Sequence, residues 1–327
     1  MPSPLADRYR DRLPLGESTP VVTLGEGSTP LLRAKRLGER AGCELWLKWE
    51  GANPTGSFKD RGMTVAVSKA LEEGAQAVVC ASTGNTAASA AAYAARAGIP
   101  AVILQPAGAV ALGKVAQARA LGARLLEVRG SFEDALDAAR ELARRGTHAL
   151  VNSLNPYRLE GQKTAAFELA DELGGAPDVL ALPYGGGGNT RAYALGFEEL
   201  GGGRPRLVAG EATGRADTIA TAIRIADPAH RAEAEEAIAA SGGAVVSLSD
   251  EEILAAWRDL AHLEGVFCEP ASAAGLAALA KERLDPGAQV VCVVTGHGLK
   301  DPETAARLSP PPVAVDPDPD AIAEAAA

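Results

Sequence analysis

The stretch DVLALPYGGGGNT (residues 178–190) shows the local pattern that decides the fold: a buried strand, a glycine-rich turn and the start of a helix. Strand-like apolar runs also occur at 44–50, 75–82, 101–106, 123–128, 148–153, 206–211 and 289–295, with helical patterns between them. Strands that are apolar throughout are typical of parallel sheets covered on both faces. The pattern predicts an α/β protein in which open, mostly parallel twisted sheets are flanked by helices.

Composition limits the function. The 327 residues are enough for about two domains, and 47% of them are apolar, as in a globular protein. Acidic residues (42) outnumber basic ones (32), and no basic run is interleaved with aromatic residues, so nucleic acid is not an expected partner. The longest uncharged stretch, 97–113, is broken by glycine and proline and does not predict a membrane helix.

The first fourteen residues carry charges where a secretory signal would need an apolar core. They predict a surface arm and a cytoplasmic protein. The four cysteines and four histidines do not have the spacing of metal ligands, so no metal site is predicted. Two cysteines, Cys80 and Cys292, lie in strand-like runs and are expected to be buried, structural residues.

Two helices have recognisable ends. A helix over 57–73 is predicted to end at Gly74, and one over 249–263 begins with Ser249 and Glu252 at the spacing of a capping box. Beyond residue 308 the chain is rich in proline and acidic residues, which predicts a disordered tail over 309–327.

Ligands of parallel sheets bind beyond the carboxyl ends of the strands, so the turns there are the places to search. Four such turns are distinctive: NPTGSFKDRG (53–62), ASTGNTAAS (81–89), PYGGGGNT (183–190) and TGHGLKD (295–301). In PYGGGGNT, the glycines let backbone N–H groups converge just before a helix, which predicts an anion site at 185–189.

Nucleotide motifs fit these turns poorly. A dinucleotide fingerprint needs a third glycine that neither register of Gly185 to Gly188 supplies. GANPTGSFK has the glycine spacing of a P-loop, but Ser57 and Phe58 stand where lysine and a hydroxyl residue are required. Nucleotide binding is therefore disfavoured.

Lys59 follows Phe58 at the start of a helix, where the helix dipole and a partly apolar cleft would both lower the pKa of its amine. A neutral lysine is a nucleophile toward aldehydes. Alone, this motif is equally typical of a solvated first turn. An anion site and a desolvated lysine together match pyridoxal 5'-phosphate, which carries a phosphate and an aldehyde.

The other two turns complete this interpretation. ASTGN offers hydroxyls and amides at a helix start, which suit a substrate carboxylate and the phenolic oxygen of the cofactor. Thr295 offers a neutral hydroxyl for the pyridine nitrogen, although a threonine at a strand end is common without any function.

NPTGSFKDRG, ASTGNTAAS, VNSLNPYRLEGQKT, EPASAAG and TGHGLKDP, with GEGSTPLL at 25–32, together resemble the threonine synthase family of fold-type-II (tryptophan synthase beta-like) pyridoxal phosphate enzymes. The likeness covers about residues 18–303. It implies a two-domain fold with a large cofactor-binding domain formed by 1–50 and 152–308, a smaller mobile domain over 51–151, and a homodimer.

The resemblance also implies roles for individual residues. Lys59 would bind the cofactor covalently and move protons on the substrate. The remaining cofactor contacts would be Phe58, Asn85, Gly185, Gly186, Gly187, Gly188, Asn189 and Thr295. Ser82, Thr83 and Thr86 would bind the substrate carboxylate, and Lys114, Asn152, Ser153 and Arg158 the phosphate of O-phospho-L-homoserine.

The four-glycine turn differs from the family's usual pattern and resembles that of serine and threonine dehydratases. A dehydratase or a β-replacement synthase is therefore an alternative, and Arg158 argues against a dehydratase, which has no substrate phosphate to bind. A non-catalytic binding protein of the same fold is a more distant alternative, which would be indicated by the loss of Lys59; this lysine is present.

Overall fold

The computed structural model describes residues 4–108, 112–214, 217–225 and 228–326, except the side chains of 112–114. It contains two sheets, each flanked by helices. The strands are β1 (Leu31–Arg33), β2 (Glu44–Trp49), β3 (Ala77–Ala81), β4 (Ala101–Pro106), β5 (Arg124–Val128), β6 (His148–Leu150), β7 (Val179–Pro183), β8 (Arg206–Ala212), β9 (Ala244–Leu248) and β10 (Gln289–Val294).

The helices fill the intervals between the strands. They are α1 (Leu5–Arg8), α2 (Lys35–Ala41), α3 (Lys59–Glu72), α4 (Asn85–Ala97), α5 (Leu112–Ala120), α6 (Phe132–Arg144), α7 (Pro156–Leu173), α8 (Gly188–Leu200), α9 (Arg231–Ala240), α10 (Asp250–Glu264), α11 (Ala274–Leu279), α12 (Pro302–Leu308) and α13 (Pro319–Ala326). Short 3-10 turns occupy Arg10–Arg12, Glu50–Ala52, Thr221–Ile223, Pro270–Ala273 and Gly298–Lys300.

The larger sheet has the strand order β1-β2-β10-β7-β8-β9, and the smaller has the order β5-β4-β3-β6. Every pair is parallel except the edge pair of β1 with β2. The last strand, β10, lies between β2 and β7, so it places the chain's C-terminal third beside its beginning. The predicted architecture is confirmed.

All eight predicted strands occur, and two strands escaped prediction. β1 has only three residues, and β9 is a half-exposed edge strand. The predicted helix over 57–73 is α3, and the one over 249–263 is α10, whose capping box between Ser249 and Glu252 has both of its hydrogen bonds.

The N-terminal segment is not a surface arm, and that prediction was wrong. Leu5, Ala6 and Tyr9 are buried and form a cluster that includes Val65 of α3 and Phe167 of α7. Leu5, Ala6 and Tyr9 lie on one side of a short helical segment, while Asp7 and Arg8 between them are exposed, so the charges concealed an apolar face.

Helices α3 and α7 cross at glycines. A side chain at Gly161 would overlap the carbonyl of Arg61, so the two backbones are nearly in contact. Beside this crossing, the buried guanidinium of Arg61 binds Glu50 (Nε–Oε2, 2.6 Å) and Glu168 (Nη2–Oε2, 2.6 Å), and Lys48 lies 3.0 Å from Glu168. These pairs connect the large sheet to the helix that carries Lys59.

The sheets divide the chain at about the predicted places: β1, β2 and β7–β10 form one sheet, and β3–β6 form the other. The two-domain division itself, with one mobile domain, stays a prediction.

The predicted tail over 309–327 includes α13, which has no buried residue, and its disorder also stays a prediction. Within the described ranges, no helix is both long and apolar enough to cross a membrane.

Candidate active site

Lys59 begins α3 beside the end of β10. Ser57 forms an antiparallel bridge with Gly296, and the Phe58 N–H donates to the Thr295 carbonyl at 3.0 Å. The Lys59 amine lies 4.1 Å from the centre of the Phe58 ring. The predicted lysine is therefore held at the carboxyl end of the central strand rather than on an outer helix face.

The surroundings of Lys59 favour a neutral amine. The residue as a whole is half-buried, but its amine is enclosed by protein, and this burial lowers its pKa to about 7. The positive charge of Arg158 lowers the pKa too, whereas Glu269 raises it. A lysine with a pKa near neutrality can act both as a nucleophile and as a proton carrier.

The glycine turn follows β7, the neighbour of β10 in the sheet, so it borders the same strand end as Lys59. Gly187 has φ +80°, and a Cβ there would lie 2.6 Å from the His230 carbonyl oxygen. At Gly185 a Cβ would lie 3.1 Å from the Ile223 Cα. The turn therefore requires glycine at Gly187 and is tight at Gly185.

This turn leads into α8, whose first N–H groups cannot reach acceptors within the helix. The Nδ2 atom of Asn189 and the Oγ1 atom of Thr190 are buried and have no hydrogen-bond partner among the described residues. Buried polar atoms are nearly always satisfied, so unpaired donors at a helix N-terminus suit a phosphate. The turn fits the phosphate of pyridoxal phosphate.

The turn after β3 contains the predicted carboxylate site. Ser82 Oγ accepts from the N–H groups of Gly84 (3.3 Å) and Ala87 (3.2 Å), so it stabilises the turn that starts α4. Thr83 and Thr86 are half-buried in this turn. Their role in binding substrate stays a prediction.

Asn85, the first residue of α4, reaches across to the large sheet. Its Nδ2 donates to Glu269 Oε1 at 2.9 Å. Thr295, after β10, has its hydroxyl 2.9 Å from Ser272 Oγ, which also accepts from the Gly296 N–H at 2.8 Å. Both predicted cofactor contacts therefore lie at the end of β10 with their side chains oriented by neighbours.

Arg158, on α7, is 1% exposed and close enough to Lys59 to influence its pKa. Its Nη1 donates to the Val151 carbonyl at 2.8 Å, whereas its Nε and Nη2 have no acceptor within the described part of the chain. Burial lowers the pKa of Arg158 to about 10, so it is charged at neutral pH. A buried cation with two free donors suits an anionic ligand.

Two of the other residues predicted to bind the substrate phosphate already make hydrogen bonds within the protein. Asn152 uses Oδ1 and Nδ2 to bind the backbone N–H (3.0 Å) and carbonyl (2.9 Å) of Ala81, so it supports the end of β3. The Ser153 carbonyl lies 2.8 Å from His230 Nε2. The side chain of Lys114 lies outside the described residues. Phosphate binding by these three residues stays a prediction.

Two charged residues of the site had no predicted role. Glu269 belongs to EPASAAG and Lys300 to TGHGLKDP, and each stretch was distinctive without any indication of which charge faces the site. Burial raises the pKa of Glu269 to about 7 and lowers the pKa of Lys300. Lys300 Nζ donates to the Thr55 carbonyl at 3.1 Å and also binds Gln117 of α5.

A third residue without a predicted role, His230, ties the glycine turn to the loop after β6. Its N–H donates to the Gly186 carbonyl at 3.0 Å, and its ring reaches the Ser153 carbonyl. Its sequence context, ADPAHR, gives no signal of this position. Within the described ranges, no group of three or more His, Cys, Asp or Glu residues is arranged to hold a metal ion.

Lys59 beside the end of β10 and the glycine turn after the neighbouring β7 suit the aldehyde and the phosphate of pyridoxal phosphate. The family model described as "Pyridoxal-phosphate dependent enzyme" matches residues 22–296. The chain belongs to this family. Pyridoxal phosphate-dependent enzymes of fold type II share the two-sheet architecture described above, so the predicted fold class and cofactor are confirmed.

Curated members of this pyridoxal phosphate-dependent family are similar along almost the whole chain. A threonine synthase of Mycobacterium tuberculosis is 54% identical over 332 residues, which cover 94% of this chain and 92% of that protein. A threonine synthase of Halalkalibacterium halodurans is 52% identical over 320 residues, covering 92% of this chain and 90% of the relative. The recognised resemblance to threonine synthases is confirmed.

Solved structures of the same fold are named for reactions of other amino acids. Maize serine racemase superposes with a TM-score of 0.74 at 23% identity, covering 86% of this chain and 91% of its own. A fungal L-serine ammonia-lyase from Rhizomucor miehei has a TM-score of 0.72 at 26% identity, covering 83% of this chain and 94% of its own. At 23% identity, the likeness to maize serine racemase shows the fold alone.

Proposed function

We propose that this chain is a threonine synthase, a lyase of threonine biosynthesis that converts O-phospho-L-homoserine and water to L-threonine and phosphate. The observation that carries the proposal is the buried Arg158, which lies next to Lys59 and whose Nε and Nη2 have no hydrogen-bond partner among the residues that the structure describes. A substrate with a phosphate of about −1.5 to −2 charges needs such a cation, especially in a protein of net charge −10. The 52–54% identical threonine synthases support the same assignment.

Pyridoxal phosphate would be held by residues at the ends of β7, β3 and β10. When bound, it supplies an electron sink for negative charge that develops on the substrate carbons. The glycine turn and Asn189 would hold its phosphate, Phe58 and Asn85 would contact its ring, and Thr295 would face its pyridine nitrogen. Lys59 would hold its aldehyde carbon.

Lys59 is the residue proposed to move protons. It would take the proton from the substrate Cα and serve the later proton transfers at Cβ and Cγ of the β,γ-elimination and replacement. A pKa of about 7 suits this role, because the amine then exchanges protons readily in both directions near neutral pH. The charge of Arg158 helps to keep the pKa low.

Substrate groups would bind on two sides of Lys59. Ser82, Thr83 and Thr86 surround the start of α4, where a carboxylate is favoured by the free N–H groups and the helix dipole. Arg158 would bind the leaving phosphate in a two-pronged manner, with Asn152, Ser153 and Lys114 beside it. Two anionic groups of one substrate would thus be fixed on either side of the reacting carbons.

A dehydratase or another lyase of the same fold remains the alternative, since the four-glycine turn resembles that of dehydratases. Comparing substrates separates these activities. The purified protein with pyridoxal phosphate is given O-phospho-L-homoserine, L-threonine or L-serine, and inorganic phosphate, threonine and 2-oxo acids are measured.

We expect phosphate and threonine in equal amounts from O-phospho-L-homoserine. A Lys59→Ala variant should release no phosphate. Rapid formation of a 2-oxo acid from threonine, without phosphate release from O-phospho-L-homoserine, would instead establish a dehydratase.

We propose in addition that the protein is a cytoplasmic homodimer. All four cysteines are free, as is usual in a reducing compartment, and the dimer rests on the family resemblance. Sedimentation of the purified holoenzyme at several concentrations tests the dimer: a single species of the monomer mass would exclude it.

A further inference from the structure

The carboxylate of Glu269 lies where the turns of the active site meet. The residue is 5% exposed, and its backbone N–H donates to the Gly296 carbonyl at 3.1 Å. Its side chain packs so closely on Gly296 that a Cβ there would overlap Oε1. The position of this carboxylate is therefore fixed by the end of β10 in the large sheet.

Asn85 approaches the same carboxylate from the small sheet. Its Nδ2 donates to Glu269 Oε1 at 2.9 Å, and it is the first residue of α4, directly after the turn that follows β3. This hydrogen bond thus joins the two sheets across the site. It uses one of the two amide N–H donors of Asn85 and leaves the second for a ligand.

The chemistry of the pair determines which way the amide faces. Above the Glu269 pKa of about 7 the carboxylate can only accept hydrogen bonds, and it therefore requires the NH2 end of Asn85 to point toward it, as the structure has it. The second N–H of that end is then available to an acceptor in the site, such as a phenolic oxygen. A glutamine at 269 would accept or donate, and would therefore not select one orientation of Asn85.

We infer that Glu269 is a positioning residue, which acts through Asn85 by directing the amide N–H toward the phenolic oxygen of pyridoxal phosphate. The inference rests on the cofactor site of the proposed function and does not depend on which amino acid is the substrate.

Charged groups around Glu269 are consistent with this role. Burial raises the pKa of Glu269 to about 7, against the lowering effects of Lys300, of the Asn85 hydrogen bond and of Lys59, while Asp301 raises it further. In turn the charge of Glu269 raises the pKa of Lys59, against the effect of Arg158. Removing the carboxylate should therefore change both the orientation of Asn85 and the protonation of Lys59.

A double-mutant cycle on cofactor affinity tests the inference. Protein freed of cofactor is titrated with pyridoxal phosphate for wild type, Glu269→Gln, Asn85→Ala and the double variant, and the visible absorbance band is recorded against pH. Glu264→Gln is the matched control, because Glu264 is a half-buried carboxylate that accepts from the Leu37 N–H at 2.7 Å, on the far end of α10.

We expect Glu269→Gln to weaken cofactor binding about tenfold or more, the usual effect of losing a hydrogen bond to a charged group. In the Asn85→Ala background the same change should have little further effect. The pH at the midpoint of the visible band should fall in Glu269→Gln, and Glu264→Gln should match wild type in both measurements.

Independent, additive effects of the two changes would overturn the inference, as would an unchanged band in Glu269→Gln. If Glu269→Gln does not fold, as judged by thermal unfolding, Glu269→Asp takes its place: it keeps an acceptor-only group but shortens its reach, and it should also lose affinity only when Asn85 is present. If wild type itself shows no cofactor band, it is the proposed function that fails.

Discussion

The guanidinium of Arg158 packs closely against Gly62, one helical turn after Lys59. A Cβ at Gly62 would lie 2.7 Å from Arg158 Nε and 2.6 Å from the Arg158 carbonyl oxygen. The spacing between α3 and α7 therefore sets the position of the cation that we assign to the substrate phosphate.

Gly62→Ala should displace Arg158 without touching the cofactor residues. Over-packing of this kind costs about 1–3 kcal/mol of stability, and misplacing a binding group by a fraction of an ångström lowers kcat/KM for O-phospho-L-homoserine by roughly tenfold to a hundredfold. Steady-state kinetics and thermal unfolding measure both effects. Gly202→Ala is the control, because a Cβ at Gly202 would meet no described atom within 4 Å; equal kinetics for the two variants would contradict the argument.

Arg158→Met should separate stability from activity. The arginine is buried, and two of its donors find no partner in the described part of the chain, so replacing it with an apolar side chain of similar length removes an uncompensated charge. We expect the ligand-free protein to unfold with the same free energy or roughly 1 kcal/mol more, with almost no phosphate release. Arg158→Lys keeps the charge but not the fork, and should lower kcat/KM about 10- to 100-fold.

Chemical denaturation of each variant without cofactor gives the stabilities. If Arg158→Met lost several kcal/mol of unfolding free energy, the guanidinium would be needed to stabilise the fold and would not be reserved for an anionic ligand.

Lys59 should make the cofactor-free protein less stable at low pH. The pKa of Lys59 is about 7 in the folded chain and 10.5 when exposed. Below about pH 7 the folded protein therefore contains a charged, buried amine, which lowers its stability. Between about pH 7 and 10.5 the unfolded chain binds more protons, and stability rises with pH. This penalty is fully present below pH 7 and is gone above pH 10.5.

Lys59→Met removes the penalty, so we expect it to be more stable than wild type at pH 6 and to approach wild type as the pH rises toward 10. Urea unfolding of both cofactor-free proteins across this range tests the sign. A difference that grows with pH would show that Lys59 is not desolvated, and Lys35→Met, at an exposed lysine, should show no trend.

Gly187→Ala should weaken cofactor binding. Its φ of +80° disfavours any side chain, and the added Cβ would lie 2.6 Å from the His230 carbonyl oxygen, so the turn must open. We expect the dissociation constant of pyridoxal phosphate to rise at least about tenfold, by the loss of one or more phosphate hydrogen bonds. Fluorescence titration measures it; unchanged affinity would place the phosphate elsewhere.

The central strands were predictable because they are apolar throughout, as buried parallel strands must be. β1 and β9 lie at the edges of the large sheet and are partly exposed, so their apolar content does not distinguish them from loops. The buried N-terminal segment was missed for the opposite reason: its charges point outward while Leu5 and Tyr9 pack inward.

For the site, the turns were predictable and the partners of their side chains were not. Lys59 and the glycine turn stand out because their local sequence requires a special backbone. The bond between Asn85 and Glu269 joins residues 184 positions apart, and nothing in either local sequence specifies it. The two hydrogen bonds of the Asn152 amide to the Ala81 backbone likewise join distant residues that no local pattern pairs, and the role of Asn152 in phosphate binding stays a prediction.

The central place of β10 has a consequence for biosynthesis. Until residues 289–294 have left the ribosome, β2 and β7 have no strand between them, and the bridge from Ser57 to Gly296 cannot form. A nascent chain can fold its small sheet early, since β3–β6 are contiguous, but it cannot capture the vitamin-derived coenzyme until β10 has been synthesised.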